Sequence, residues 1–290
     1  DISKEITFLK KTKEIDDLLY NLKICDPAIG SGAFAVGIVN LIARLRNLLK
    51  SFVNRKYKNT SYYFKRDCIQ NSIYGVDFDS SAVEITKLRL WLSLIVDEDD
   101  FSKTEPLPNL DFQILQGNSL INKIDGYNFQ HLDIQKEDYQ FELLPNDVWD
   151  KFSKVKNDFI NLKKKYFDIK NFKNKDEARK KIETILIELT DLAFALGSTW
   201  DKKKDADNVR FNKIRSNKNF FLWKLYFIEI FQDNPGFDII IANPPYIGEK
   251  SDKYKFQEVK NFSDLDKFYK KRMDYLYFFF SSRIRYFKKR

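Results

Sequence analysis

The spacing of apolar residues along the first part of the chain predicts strands and helices in alternation. Long segments with apolar residues at helical spacing follow polar loops, and short apolar segments precede those loops. The predicted helices cover residues 1–20, 33–50 and 80–96, and the predicted strands cover residues 22–25, 72–76 and 112–115. Ser80 or Ser81 is the expected N-cap of the third helix, and Asp79 is placed to help open it. Residues 54–66 are expected to form a polar connection.

A fourth strand is predicted immediately before a rigid turn in residues 237–246, FDIIIANPPY. Ile239, Ile240 and Ile241 are β-branched and suit a strand that is covered on both faces. The order of strand, loop and helix along the chain is typical of a parallel sheet with helical crossovers. The expected fold class is therefore α/β, with a doubly wound and mostly parallel sheet.

A long segment between the third and fourth strands has a different character. Residues 146–200 are charged and Lys-rich, and their apolar positions recur at helical spacing. The positions that share this spacing are Ile182, Ile185, Leu186, Leu189 and Leu192. We expect a helical insertion at residues 135–232, flanked by a first part of one domain at residues 1–134 and a second, incomplete part at residues 233–290. The apolar residues 220–231 are expected to return the chain to the core.

Composition narrows the class of protein only slightly. The 290 residues carry a net charge of +9, which favours a polyanionic partner, although Lys-rich solvated helices give the same net charge.

No apolar run approaches the roughly 20 residues that span a bilayer, and no signal-peptide core opens the chain, so a cytoplasmic location is expected. Cys25 and Cys68 lack metal-ligand spacing, so no metal site is expected. With His131 as the one histidine, a histidine-dependent mechanism is disfavoured.

The loop after the first strand, DPAIGSGAF at residues 26–34, has the composition of a ligand-binding turn. Gly30 and Gly32 let the backbone approach a ligand closely, and the following helix offers N–H groups at its start. The loop lacks the Gly-Lys-Ser/Thr of a P-loop and the three-glycine spacing of dinucleotide sites. Asp26 at its entrance disfavours phosphate and suits a cationic ligand. A tight turn without a ligand is the alternative.

Polar side chains follow all four predicted strands, at Asp26, Asp77, Asn118 and Asn243. Because ligands of open α/β sheets bind outside the carboxyl ends of the strands, we expect these side chains on one rim. A carboxylate such as Asp77 suits the hydroxyls of a ribose.

The turn at Asn243-Pro244-Pro245-Tyr246 has two readings. The prolines fix φ and remove two backbone donors, which leaves carbonyl acceptors at a strand end beside an aromatic ring. Such a corner could grip a planar group that carries an amino group, or it could simply end the strand.

Four segments in this order resemble S-adenosylmethionine-dependent DNA adenine-N6 methyltransferases. The segments are DPAIGSGAF, IYGVDFDSSAVEITKLRLWLSL, QGNSL and FDIIIANPPYIG. They look most like the branch found in fused restriction–modification enzymes of type IIG kind and in related phage-defence methylases. The resemblance covers about residues 22–246 and implies a Rossmann-like methyltransferase fold. Two departures are Ile29, where the family usually has Cys, and Asn118, where many relatives carry Asp.

The resemblance implies S-adenosylmethionine as the cofactor and no metal. Asp26 would lie near the ammonium group of the cofactor, and Asp77 would bind its ribose hydroxyls. Phe78 would pack on its adenine ring, and Asn118 would contact the amino edge of that ring. The implied cofactor-binding residues are Asp26, Pro27, Ala28, Gly30, Gly32, Phe34, Asp77, Phe78, Asn118 and Ser119.

The resemblance also implies double-stranded DNA as the partner, with the target adenine flipped out of the duplex. The implied catalytic residues are Asn243, Pro244, Pro245 and Tyr246. Asn243 and the Pro244 carbonyl would accept from the N6 amino group, and Tyr246 would stack on the base. The aromatic run at residues 275–280 is expected in the core, with Phe278 or Phe279 as candidate walls of the target pocket. The basic insertion is a candidate for DNA phosphates.

Two other classes of function stay open from the sequence. One is a methyltransferase that acts on a protein glutamine or on RNA through the same turn, against which the long insertion argues. The other is a non-catalytic nucleic-acid-binding module that retains the cofactor fold. We expect a target-recognition domain to be absent from this chain. No nuclease constellation is visible in it, so cleavage would need a further segment.

Overall fold

The structure, a computed structural model, describes residues 2–53, 60–97, 109–124, 127–128, 146–166, 169, 172–197, 221–233 and 236–286. Numbered along the chain, the strands are β1 (Ile24–Asp26), β2 (Ile73–Asp77), β3 (Ile114–Gln116), β4 (Lys123–Ile124), β5 (Tyr127–Asn128) and β6 (Ile239–Ile240). The helices are α1 (Ile2–Asn21), α2 (Ala33–Leu49), α3 (Thr60–Asn71), α4 (Ser80–Ile95), α5 (Asn146–Tyr166), α6 (Phe172–Gly197), α7 (Trp223–Tyr226), α8 (Ile228–Asp233), α9 (Lys253–Phe262) and α10 (Leu276–Tyr286).

The chain divides into two units. The first unit contains Asp1–Leu115 and Phe237–Asn243, and the second contains Gln116–Gly236 and Pro244–Arg290. The predicted boundaries of the insertion at residues 135–232 stay a prediction.

A parallel sheet forms the centre of the first unit, with strand order β3-β2-β1-β6. β1 pairs in parallel with β2, with Ile24 opposite Ile73, and in parallel with β6, with Ile24 opposite Ile239. The short β1 is buried throughout, so it has the fully covered environment of a central parallel strand. The predicted α/β class with a Rossmann-like parallel sheet is confirmed.

The strand order reverses at β1. β2 and β3 lie on one side of it, whereas β6, which comes much later in the chain, lies on the other. Connections that leave neighbouring strands in opposite directions open a crevice at their carboxyl ends, and ligands of such sheets bind there. The switch point lies between the end of β1 at Asp26 and the end of β6.

β6 differs from the buried strand that its isoleucines predict. Ile239 is 39% exposed, and Ile240 and Ile241 are half-buried. The reason is position in the sheet, since among the described residues β6 pairs with β1 alone and is an edge. Phe237, just before the strand, is fully buried against Tyr74, with ring centroids 5.5 Å apart.

A helix occupies part of the segment that was expected to be a polar connection. α3 buries Tyr62, Phe64, Cys68 and Ile69 along one face. Helical spacing is hard to recognise in the sequence because Lys65, Arg66 and Asp67 separate the aromatic residues from Cys68 and Ile69. Lys65 reaches Asp97 at 2.8 Å and is itself nearly buried.

An ion pair inside the first unit holds α1 against α2. Arg46 is 1% exposed, and its Nε donates to Asp16 Oδ1 at 2.8 Å. Its guanidinium also lies 3.5 Å from Asp67 Oδ2 on α3 and over the rings of Tyr20 and Phe64. A buried charge with this many partners ties three helices together.

The second unit contains the predicted helices of the insertion. α5 and α6 pack against each other, and Ile182 and Leu189 are fully buried at the predicted spacing. Lys163 of α5 pairs with Glu229 of α8 at 2.7 Å. Residues 221–231 are mostly buried, as expected of the segment that returns the chain to the core. The charged residues 201–208 and His131 lie outside the described residues. No helix in the described ranges is long and apolar enough to cross a membrane.

The first glycine loop rests on β2 through a close contact at Gly75. Ile29 is 4% exposed, and a Cβ added to Gly75 would lie 2.2 Å from its Cδ1. The Ile29 side chain therefore fills space that only glycine leaves open. Ile29 N also donates to Val76 O at 3.0 Å, so the loop is fixed to β2 by both packing and backbone.

We expect Gly75→Ala to lower the free energy of unfolding by about 1–3 kcal/mol, because the new methyl group overpacks this contact. Urea unfolding measures the change. Ile29→Ala removes the clashing atoms, so the double variant should be more stable than the sum of the two single changes indicates. Gly37→Ala is the matched control, since a Cβ at Gly37 meets open space. Simple additivity of the two changes would show that Ile29 does not occupy this space.

Candidate active site

The glycine loop runs from the end of β1 into α2 with two residues in the left-handed region. Gly30 has φ of 55° and Gly32 has φ of 77°, conformations that residues with a Cβ adopt at a strain. Gly32 occupies the N-cap position of α2, and no side chain caps that helix. The start of α2 therefore has backbone N–H groups that no side chain caps.

α4 also holds this loop, through two of its side chains. Thr86 Oγ1 donates to Gly30 O at 2.7 Å, and Arg89 Nη1 donates to Ser31 Oγ at 2.9 Å. A Cβ at Gly32 would lie 2.8 Å from Thr86 Cγ2. Sequence reasoning missed Thr86 and Arg89. Their spacing of three residues, which places both on one face of α4, is the signal that could have found them.

Asp77, at the end of β2, bonds directly to the glycine loop. Its Oδ2 accepts from Gly30 N at 2.8 Å, and its Oδ1 accepts from Asp79 N at 2.9 Å. Each carboxylate oxygen has a further lone pair for another donor. The structure therefore brings Asp77 to the same loop as Asp26, as the shared rim of the sheet predicts.

Asp26 is a buried carboxyl group beside a second acid. It is 3% exposed, and Ala28 N donates to its Oδ1 at 3.0 Å. Burial, with a smaller contribution from Asp77, raises the pKa of Asp26 to about 7, against the lowering effect of the Ala28 hydrogen bond. No described residue forms an ion pair with Asp26. Two neighbouring carboxyl groups without a cation make a site that favours a positively charged ligand.

The remaining side chains of the first unit that were assigned to the cofactor differ in exposure. Phe78 is 59% exposed and Phe34 is 44% exposed, so both offer ring surface to a ligand. Pro27 is buried, and Ala28 contributes the backbone N–H that Asp26 accepts.

The start of α4 corrects one expectation. The N-cap is Asp79, whose Oδ1 accepts from Ser81 N at 2.8 Å, and neither Ser80 nor Ser81 caps the helix. An aspartate in extended conformation caps a helix as well as serine does, which explains the one-residue shift. The prediction that Asp79 helps to open this helix is confirmed.

Asn118 and Ser119 belong to the second unit and are both buried. Asn118 Oδ1 accepts from Leu120 N at 3.2 Å. Ser119 O accepts from Trp223 Nε1 at 3.0 Å, so this residue anchors the segment that returns from the insertion.

The division between the units falls inside the Asn-Pro-Pro-Tyr turn, after Asn243. Asn243 and Pro245 are exposed, and Pro244 is buried. Tyr246 is 75% exposed, an unusual state for a large aromatic side chain beside a proline pair. The assigned catalytic roles of these four residues stay predictions.

The residues after Tyr246 are fixed by a second segment of the same unit. Ile247 N donates to Asp274 Oδ1 at 3.3 Å, and Tyr275 N donates to Ile247 O at 2.8 Å. Glu249 accepts from the Tyr269 hydroxyl and, at 2.7 Å, from Arg272 N. Hydrogen bonds from Tyr269 and from that backbone N–H hold the pKa of Glu249 below its usual value.

The aromatic run near the end of the chain lies mostly in a core. Phe278 is fully buried among Leu120, Phe256, Val259 and Tyr275, so it does not line an open pocket. Phe279 is partly buried beside this cluster, and its place in a target pocket stays a prediction. Among the residues that the structure describes, no three His, Cys, Asp or Glu side chains are grouped to hold a metal ion.

The parallel sheet, the glycine loop after β1 and the acid after β2 define a Rossmann-like α/β protein of the methyltransferase kind. Residues 71–290 match the family described as Eco57I restriction-modification methylase, and the chain belongs to that family. The members of this family are described as restriction-modification methylases.

Two relatives resemble parts of the chain. A protein of Methanocaldococcus jannaschii assigned as a type II restriction enzyme and methyltransferase is 37% identical over 121 residues, which is 41% of this chain and 10% of the relative. The type II restriction enzyme and methyltransferase Eco57I of Escherichia coli is 29% identical over 155 residues, 48% of this chain and 15% of the relative. The matches therefore span a small fraction of these curated relatives.

We expect Asp26→Asn to change how stability depends on pH. A carboxyl group has a pKa of about 3.9 in an unfolded chain, and the folded value is about 7. The stability that Asp26 contributes is therefore complete below about pH 4 and is lost as the pH rises to about 7. Relative to the wild type, the variant should gain on the order of a few kcal/mol in free energy of unfolding over that window.

Urea unfolding at a series of pH values measures this difference. Asp150→Asn, which removes an exposed carboxylate, controls for the loss of one negative charge. A difference between Asp26→Asn and wild type that stays constant with pH would show that Asp26 is already ionised in the native protein.

Proposed function

We propose that this chain transfers a methyl group from S-adenosylmethionine to the N6 amino group of an adenine in DNA, within a restriction–modification or phage-defence system. The observation that carries the proposal is the parallel pairing of β1 with β6. It puts the loop that begins at Asp26 and the turn that begins at Asn243 after neighbouring strands, on the two sides of the switch point.

The donor set of the first unit fits this cofactor. S-adenosylmethionine carries an ammonium group and a sulfonium centre, and when bound it supplies an electrophilic methyl group. Asp26 and Asp77 form a negative pair to which no described residue supplies a cation, and burial makes their unbalanced charge unfavourable without one. Gly30 and Gly32 give the loop between these acids and α2 a backbone path that residues with a Cβ adopt only at a strain.

Each cofactor-binding residue has a separate task in the proposal. Asp26 would hold the ammonium group and Asp77 the ribose hydroxyls, for which both Asp77 oxygens have a lone pair left. The exposed Phe78 would pack on the adenine ring, and Asn118 would accept from its amino group. The backbone of Pro27, Ala28 and the loop glycines would line the amino acid part, with Phe34 and Ser119 beside it.

The turn would bind the target base after it leaves the helix stack, since N6 is inaccessible within a duplex. Asn243 Oδ1 and the Pro244 carbonyl would accept from the N6 amino group and aim its lone pair at the methyl group. Tyr246 is exposed enough to receive a stacked base, a contact worth about 1–3 kcal/mol. This reaction is accelerated mainly by positioning, so it needs no histidine.

DNA as the substrate is supported by charge and by relatives. The net charge of +9 favours a polyanion, and α5 ends in Lys163, Lys164 and Lys165. Lys163 is already paired with Glu229, so the phosphate contacts would come from its two neighbours. Both relatives bear names that combine restriction enzyme and methyltransferase.

Transfer of a radiolabelled methyl group from S-adenosylmethionine to DNA, RNA and protein acceptors tests the proposal. We expect label in duplex DNA and N6-methyladenine after digestion to nucleosides. Label in protein or RNA alone would replace the DNA substrate with the other acceptor. Calorimetric binding of the cofactor without transfer to any acceptor would make the chain a binding module, and absence of binding would remove the cofactor assignment.

Substitutions should separate the binding of the cofactor from the transfer of the methyl group. Asn243→Ala and Tyr246→Ala should each reduce transfer by at least about 100-fold, because the base loses its acceptor or its stacking surface, while cofactor affinity stays within about twofold. Asp77→Ala should chiefly weaken cofactor binding, by about tenfold or more. Single-turnover transfer and calorimetry measure the two effects.

The exposed Tyr254, on α9, provides a control for loss of an aromatic hydroxyl as Tyr254→Phe. Normal turnover by Asn243→Ala would contradict the role of the turn, whatever the behaviour of the cofactor variants.

A further inference from the structure

Three neighbouring cations lie on a turn of the second unit, shortly before α10. Residues 267–272, KFYKKR, contain four basic residues and no acid. Lys270, Lys271 and Arg272 are all exposed. Within the described part of the chain, none of these three side chains forms a hydrogen bond or an ion pair. Unpaired cations that are concentrated on one turn favour the binding of an anion.

The backbone of this turn is both strained and anchored. Arg272 has φ of 65°, the one positive value among the non-glycine residues that the structure describes. Glu249 accepts from Arg272 N at 2.7 Å through one oxygen and from the Tyr269 hydroxyl through the other. Lys270 N donates to Met273 Sδ at 3.0 Å. A solvated lysine-rich surface needs neither strain nor anchors, whereas a site that holds an anion in a fixed place gains from both.

The carboxylate of Glu249 does not cancel the positive charge of the turn. Hydrogen bonds from Tyr269 and from Arg272 N hold the pKa of Glu249 below its usual value, and the charges of Lys260 and Lys271 contribute to the shift. Both oxygens of this carboxylate are therefore committed to the turn itself. Lys260 Nζ lies 4.2 Å from the centroid of the Tyr269 ring. One negative charge thus stands against four positive charges, those of Lys260 and of the three exposed cations.

The basic turn is fixed beside the residues that follow Tyr246. Glu249 N donates to Met273 O at 3.3 Å, and Gly248 forms an antiparallel bridge with Asp274. Glu249 comes three residues after Tyr246, so their Cα atoms are at most about 10 Å apart. One strand of DNA carries a phosphate about every 3.4 Å along the helix axis, so this distance corresponds to about three phosphates.

We propose that Lys270, Lys271 and Arg272 bind backbone phosphates of the DNA strand that carries the target base, within about three nucleotides of that base. This inference rests on the proposed function, in which Tyr246 receives the flipped base. A base leaves the helix by rotation about its own backbone, so contacts to the flanking phosphates hold the strand while it does so. The planar guanidinium of Arg272 can contact two oxygens of one phosphate, and the lysines add compact charges.

The salt dependence of DNA binding measures the number of these contacts. The probe is a short fluorescent duplex in which one adenine lies opposite an abasic site, because an unpaired base costs little to flip. Fluorescence anisotropy gives the slope of the logarithm of the binding constant against the logarithm of the salt concentration. The triple variant Lys270→Gln, Lys271→Gln, Arg272→Gln should make this slope less steep by about 2–3, since each lost phosphate contact removes about 0.9.

A second triple variant controls for the loss of three positive charges. Lys10→Gln, Lys11→Gln, Lys13→Gln removes three exposed cations of α1 in the first unit and should leave the slope within about 0.5 of the wild-type value. Equal changes of slope in the two triple variants would show a general effect of net charge and would overturn the proposal. An unchanged slope in the variant of the basic turn would overturn it as well.

Neutral linkages in the probe locate the contact relative to the base. Single methylphosphonates replace each of the three phosphates on either side of the unpaired adenine. We expect at least one of them to weaken wild-type binding by about threefold to tenfold and to have no further effect on Arg272→Gln. Equal sensitivity of the two proteins at every position would overturn the proposed place of Arg272.

Arg272→Gly separates the charge of this residue from its backbone conformation. Glycine adopts a φ of 65° without strain, so the midpoint of thermal unfolding should stay unchanged or rise by up to about 2 °C. DNA affinity should nevertheless fall as much as in Arg272→Gln. A lower midpoint with unchanged DNA affinity would make Arg272 purely structural and would overturn the inference. Failure of the wild type to bind the duplex at low salt would instead overturn DNA as the proposed substrate, and this inference with it.

Discussion

The hydrogen-bonded ladder between β1 and β6 is the constraint on which the candidate site depends. It joins segments that are more than two hundred residues apart, with Lys23 O accepting from Asp238 N at 2.8 Å and Cys25 O accepting from Ile241 N at 3.0 Å. A shift of this register by one residue would turn every side chain of β6 to the other face. The same shift would displace Asn243 relative to the end of β1, so the ladder sets the spacing of the acceptor turn from the glycine loop.

Burial of Asp26 beside Asp77 gives the loop a second physical property, a carboxyl group whose ionised form is disfavoured. Both carboxyl groups are held in place by backbone N–H groups of the loop itself. A positively charged group bound beside them would stabilise their ionised forms, so this pair of acids favours a cationic ligand over a phosphate.

The sequence predicted the alternation of strands and helices in the first unit, the glycine loop and the acids after β1 and β2, because each depends on local pattern. It did not predict α3, in which charged residues separate the aromatic residues 62–64 from Cys68 and Ile69. Nor did it predict the exposure of Ile239, which depends on the sheet partners of β6. The contacts of Thr86 and Arg89 with the loop were also missed. Those contacts arise from packing between elements that are distant in the chain, and hydrophobic periodicity carries no information about them.

The turn at residues 243–246 lacks two of the backbone donors that would normally hold a turn in place. Pro244 and Pro245 have no N–H, so the backbone of the turn cannot be held by donors at those two positions. Ile247 carries the first N–H beyond Tyr246, and Asp274 accepts it. The chain that supplies Asp274 turns sharply at Arg272, the one non-glycine residue among those described with a positive φ, at 65°. Glu249 accepts from the backbone N of that residue.

Such strain persists only where the surroundings over-determine it. Here the surroundings are the hydrophobic cluster around Phe256 and Phe278 and the hydrogen bonds of Glu249. The prolines remove the donors that would otherwise compete for the acceptors of the turn, and the anchoring moves one residue downstream to Ile247. In this way Ile247 and Asp274 hold the chain directly after the turn, although the two prolines supply no backbone donors of their own.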